Sequence, residues 1–130
     1  MSQTVEPPGD PHADPHAGLI LERMTLEPAG KHLRAVFGGE VIAESDAALV
    51  LSEKGYPPRV YFPPAEVRGE RLARTEHTTR CPWKGQAAYW TVSAGGETLK
   101  NGAWAYPEPL PELAALAGYV SFYEAVTVEG

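Results

Sequence analysis

Between Leu33 and Phe37, Leu33, Ala35 and Phe37 recur at every second position, with Arg34 and Val36 between them. Gly38-Gly39 follows, and Val41-Ile42-Ala43 resumes the apolar run. Two extended runs around a glycine pair predict a β-hairpin, because glycine alone enters the φ > 0 conformations of the tight turn at little cost. The pattern returns at Ala87–Ser93, Gly95-Gly96 and Thr98–Tyr106. There Ala88, Trp90 and Val92 share one strand face and Tyr89 and Thr91 the other, while Trp104 and Tyr106 lie on one face of the return strand.

Shorter apolar runs predict strands near Leu19–Leu26, Ala48–Leu51, Arg59–Phe62 and, more exposed, Val67–Thr75. Ser45-Asp46-Ala47-Ala48 reads as a turn with Asp46 bonding backbone amides, and Pro63–Val67 as one helical turn in which Glu66 is a capping or turn residue. Glu76 to Gly85 reads as an ordered loop. Glu112–Ala117 is the best helix signal, closed by Gly118. Tyr119–Val128 alternates as a final strand, with a helix continuing through Tyr123 as the competing reading. The expected architecture is mainly β: a pair of antiparallel sheets built from seven to nine short strands, with one or two short helical turns.

Thirteen glycines and thirteen prolines punctuate the 130 residues and suit short strands joined by turns. Met1 to Gly18, rich in Pro, Asp, Glu and His, reads as a flexible tail, leaving residues 19–130 as one domain. His12 and His16 stand four apart, but Pro11 and Pro15 remove the helix that would align them, so solvated histidines are the simpler reading. A net charge of −6 argues against a general nucleic-acid binder. No secretory leader and no membrane-length apolar run is present, and the single cysteine, Cys81, suits a reducing, cytoplasmic setting.

The runs V-F-G-G-E-V-I-A-E-S, V-Y-F-P-P-A-E-V, T-T-R-C-P-W-K-G-Q-A-A-Y-W, N-G-A-W-A-Y-P-E-P-L and A-G-Y-V-S-F-Y, in this order, resemble the domain-of-unknown-function 427 family over roughly Lys31 to Val126. The resemblance implies a β-tent fold, two antiparallel sheets pinned along one edge, as in methionine-sulfoxide reductase B and the thalidomide-binding domain of cereblon. The family carries a nucleotidyltransferase-like label but no established function. Zinc-bearing β-tents use paired Cys-x-x-Cys knuckles, which a lone Cys81 cannot supply, so the expected pin is packing and hydrogen bonds without metal or other cofactor. Cys81 ahead of Pro82 reads better as a small buried hydrophobe than as a thiolate nucleophile. No close Asp-x-Asp pair supports the Mg²⁺ chemistry of nucleotidyl transfer.

The remaining chemistry is aromatic. Trp90 is assigned to core, whereas Trp83, Trp104 and Tyr106, with Tyr61 and Tyr89, are placed to line an opening for a planar amide or a cation. Arg80 and Lys84 flank Cys-Pro-Trp as candidate anion contacts, against the simpler reading of solvated loop charges. Asn101 can serve a turn or a polar ligand, and His77 reads as a surface residue, not a base. The leading expectation is a metal-free domain that binds a small molecule in an aromatic cleft, with Trp83, Lys84, Trp104 and Tyr106 as preferred contacts. The rivals are an enzyme acting on a nucleotide or other phosphorylated compound through Arg80 and Lys84, and a protein-interaction module.

Overall fold

The two glycine pairs form the turns expected of them, and the turns meet. In the computed structural model, which describes residues 24–81 and 84–130, strands β2 (Leu33–Phe37) and β3 (Glu40–Ser45) are joined at Gly38 (φ 60°) and Gly39 (φ 81°). Strands β7 (Gly85–Ala94) and β8 (Glu97–Ala105) are joined at Gly95 (φ 58°) and Gly96 (φ 81°). Both are turns with left-handed backbone at each central position, the geometry that matches strand twist. A Cβ on Gly95 would lie 1.7 Å from the Gly38 carbonyl oxygen, and one on Gly38 would lie 2.1 Å from that of Ala94. The hairpin tips therefore touch backbone to backbone, which only side-chain-free residues permit.

The other strands are β1 (Met24–Pro28), β4 (Leu49–Glu53), β5 (Arg59–Tyr61), β6 (Leu72–Cys81), β9 (Val120–Phe122) and β10 (Thr127–Glu129). The chain is mainly β, with three antiparallel sheets ordered β1-β4-β5, β10-β2-β3 and β6-β7-β8-β9. The first and third are pinned along one line. Phe62 N–H donates to Val120 O at 2.8 Å, Val120 N–H donates back at 2.9 Å, and the buried Ser121 hydroxyl donates to Val60 O at 2.8 Å. The expected pair of sheets is thus three, two of them stitched at a β5–β9 seam by hydrogen bonds.

Strand alternation sends neighbouring residues into two separate cores. Phe62, Val92, Ala103, Ala105, Val120 and Phe122 join Leu33, Ala35, Phe37 and Ile42 in a core beneath the β10-β2-β3 sheet, with Trp90 partly buried against it. Their neighbours Tyr61, Tyr89, Trp104 and Tyr106 face the opposite way and join Met24, Leu51, Leu113 and Leu116. The second core is the one rich in rings.

Several local expectations are corrected. Residues 76–81, expected as loop, continue β6 to Cys81, with a register shift between Arg74 and Thr78. Among the described residues this strand pairs with β7 alone and is largely exposed, so it needs no apolar alternation, and β-branched Thr78 and Thr79 suit it. Part of the exposed strand expected at Val67–Thr75 is instead a 3₁₀ turn, Gly69–Arg71, that leads into β6. The expected helix is a 3₁₀ segment, Pro111–Leu116, broken at Leu113 (φ −117°, ψ 26°). Six residues preceded by Pro107 and Pro109 cannot recover the cost of helix nucleation. Gly118 does turn left-handed, at φ 76°, behind it. The final run is divided between β9 and β10, in different sheets, by a turn closed by Val126 N–H to Tyr123 O at 2.9 Å.

In the Ser45–Ala48 turn it is the buried Ser45 Oγ, not Asp46, that accepts the Ala47 N–H, at 2.8 Å. The same hydroxyl donates to the Glu66 carboxylate, while Asp46 bonds His32. The expectations for the Met1–Gly18 tail, for His12 and His16, and for Trp83 lie outside the described residues. Among the described residues no helix is long and apolar enough to cross a membrane.

Candidate functional site

A cavity of ≈ 370 Å³ opens on the ring-rich face, between the walls that diverge from the β5–β9 seam. Strands β4 and β5 supply Leu51, Glu53, Arg59 and Tyr61, each pair two residues apart and hence on one strand face. The opposite wall holds Cys81 at the end of β6, Lys84 in the turn, Tyr89 from β7, and Trp104 and Tyr106 from β8 and its extension. Tyr56 and Tyr123 stand at its edge, 64% and 41% exposed. Half of the twelve lining residues are aromatic in a chain where 9% are, so the enrichment is a property of this place.

Trp104 is the centre of the ring cluster. It is 7% exposed, and its indole N–H donates to the Tyr61 hydroxyl at 3.2 Å, with the two rings edge-to-face at 6.4 Å. Tyr123 tilts against it at 4.7 Å, and the Arg59 guanidinium lies over the indole, 5.5 Å from its centroid. Edge-to-face rings and a cation over an indole follow the aromatic quadrupole, each contributing ~0.5–1.5 kcal/mol. Behind this cluster Tyr89 hydrogen-bonds Thr79 at 2.8 Å and carries the His77 ring at 4.5 Å.

Burial sets the protonation of the phenols. It pushes Tyr61 up to about 12, against the opposing pull of the Trp104 N–H. It also raises Tyr106, whose hydroxyl lies in the field of Tyr61, Cys81, Tyr89 and Glu53 and makes no hydrogen bond among the described residues. Tyr123 is raised as well, by burial and by Tyr89. All three are neutral O–H groups at physiological pH. Two ion pairs complete the lining. Lys84 Nζ sits 3.0 Å from Glu53 Oε1, with the side chains 16% and 12% exposed, and Arg59 reaches Glu124 at 3.6 Å, where the carboxylate side chain is 86% exposed. The first is a tight, shielded pair and the second a loose, solvated one.

Of the residues expected to bind, Tyr61, Lys84, Tyr89, Trp104 and Tyr106 come together in this cavity. Arg80 does not. It precedes Cys81 on β6 and so faces the other way, into a second concavity of ≈ 400 Å³ shared with Arg74, Thr78, Gln86 and Glu108, with no aromatic side chain among its described lining residues. Arg80 and Lys84 therefore cannot flank one anion. Asn101 is also elsewhere: in left-handed backbone (φ 54°) it accepts the Thr75 hydroxyl at 2.6 Å and clamps a bulge between β7 and β8. Sequence reasoning missed Glu53, Tyr56, Arg59 and Tyr123. Period-two alternation would have found Arg59, which stands two residues before Tyr61 on the same strand. Among the described residues no three His, Cys, Asp or Glu side chains gather as a metal-binding group.

With this geometry in place, the comparison with known families is informative. The model of a family described as Domain of unknown function (DUF427) matches residues 25–130, nearly all of the described chain. The chain belongs to the DUF427 family. No curated protein matches it. The DUF427 match thus covers every strand that lines the cavity, and it assigns no chemistry to the site.

Proposed function

We propose that this DUF427 chain is a binding protein for a small, planar organic molecule, held in the aromatic cavity between the β4–β5 and β6–β8 walls. The observation that carries the reading is the open, ring-walled space itself. Six aromatic side chains surround ≈ 370 Å³ of unfilled volume, a size within the range that takes ring-sized ligands. Rings used only as core would leave no such space between them, because protein interiors pack with few voids larger than a water molecule. The nucleotide-enzyme reading loses support because Arg80 and Lys84 face different cavities.

The test is a thermal-shift and NMR screen of small planar fragments against the wild-type chain and Cys81→Phe, which puts a benzyl group into the cavity wall. Binding at this site requires stabilisation and a moved Trp104 indole resonance in the wild type, both lost in Cys81→Phe. Fragments that shift the two proteins equally, or that perturb residues away from Trp104, would overturn the reading.

A further inference from the structure

We propose that the cavity selects planar organic anions, a carboxylate or similar oxyanion carried on an aromatic or conjugated ring, with Arg59 as the anion contact. This rests on the binding reading above and narrows it to a ligand class.

Hydrogen-bonding capacity in the lining is left unspent mainly on donors. Lys84 and Glu53 are committed to each other at 3.0 Å in a shielded place. Among the described residues Arg59 is held by the stacking surface of Trp104 and a 3.6 Å contact to the solvated Glu124. A guanidinium offers five N–H donors in a planar fork that matches a carboxylate. Stacked over the indole, it keeps most of those donors free. The Tyr61 hydroxyl accepts from Trp104 and retains its own proton, and the Tyr106 hydroxyl is unengaged among the described residues. Both phenols are neutral at physiological pH, as any tyrosine near its ordinary value is, and each has a proton to donate. These groups have protons to donate, and the one carboxylate among the described lining residues, Glu53, is paired with Lys84. A guest must therefore bring acceptors.

Charge points the same way. Among the described lining residues two cations, Arg59 and Lys84, stand with one carboxylate, Glu53, and the second carboxylate, Glu124, lies 86% exposed outside the lining, in a chain whose net charge is −6. Local positive charge in a low-dielectric cleft attracts anions against the field of the whole molecule. A quaternary ammonium, the usual occupant of an aromatic cage, would meet the Arg59 guanidinium already over the indole face.

The experiment uses one ring system with three head groups: 2-naphthoate, 2-naphthamide and trimethyl(2-naphthyl)ammonium. Each is titrated into the full chain while the Trp104 indole N–H resonance is followed. The expected order is naphthoate tightest, roughly tenfold or more over the amide, the worth of one charge-assisted hydrogen bond, with the ammonium weakest. Arg59→Gln should erase the naphthoate–naphthamide difference and leave amide affinity in place. Glu124→Gln, which frees the guanidinium at an exposed position, should tighten naphthoate. Equal or better binding of the amide or the ammonium overturns the anion class while the binding reading stands. If none of the three moves the Trp104 resonance, both fall.

Discussion

Replacing Gly95 with alanine separates two costs that are usually confounded at turn glycines. Gly95 and Gly96 both sit in left-handed backbone, at φ 58° and 81°, so an alanine at either position is strained by a comparable ~1–2 kcal/mol. Their surroundings differ. A Cβ at Gly96 meets nothing within 4 Å, whereas at Gly95 it lies 1.7 Å from the Gly38 carbonyl oxygen. Ordinary carbon contacts fall at ~3.5 Å, so the hairpin tips must part by roughly 1.5–2 Å to admit the methyl. Forcing atoms into a filled site costs a further ~1–3 kcal/mol. Gly95→Ala should then lose about 2–5 kcal/mol and Gly96→Ala only about 1–2. Gly38→Ala and Gly39→Ala repeat the comparison across the contact, since Gly38 is crowded by Ala94 O at 2.1 Å and Gly39 is open. Urea denaturation followed by far-UV circular dichroism reads each loss from the midpoint, provided the slope is unchanged. Equal losses within each pair would refute the claim that the tips touch.

Other predictions concern the site and the charge pairs. Tyr61→Phe leaves the Trp104 indole N–H without its 3.2 Å acceptor and should cost about 1 kcal/mol, with the indole proton resonance moving upfield. Glu53→Gln strands the Lys84 ammonium, whose side chain is 16% exposed, and should cost ~1–3 kcal/mol, a buried-pair penalty reduced by the open cavity beside it. His32 bonds Glu44 at 2.6 Å and Asp46 at 2.7 Å, and these hydrogen bonds hold its imidazolium form above the usual histidine range. A raised folded pKa means the stabilisation is fully present below the unfolded value near ~6.5 and is lost as pH rises through the folded one. Wild type should therefore lose melting temperature relative to His32→Gln between mildly acidic and mildly alkaline pH, and an NMR titration of His32 should place its midpoint above that of a free histidine.

What could be read in advance was what depends on local rules. Glycine pairs between alternating runs give hairpins whatever surrounds them, and Trp104 and Tyr106 share a face because strands repeat every two residues. Tyr61 belongs to the same set by the same rule. The rest needed pairing information. Arg80 and Lys84 stand four apart in sequence, yet Arg80 faces away from its strand neighbour Cys81, and the two cations line different cavities. Asn101 looks available until its side chain is seen bonded to Thr75 on a strand 26 residues away. Arg59 carries the proposed specificity, yet its position over Trp104 exists only once the β5–β9 seam has formed.

Strand β6 has a consequence for how this molecule behaves in company. Ten residues long, it borders its sheet and, among the described residues, pairs with β7 alone, so no described strand matches the backbone donors and acceptors of its other flank. Such a flank is a template on which a neighbouring copy can add itself, the first event in fibre growth. Arg74, Glu76 and Arg80 put exposed charge along it, and the register shift between Arg74 and Thr78 twists its middle out of line. Polar residues that look like a loop in the sequence thus keep crowded molecules from zipping together.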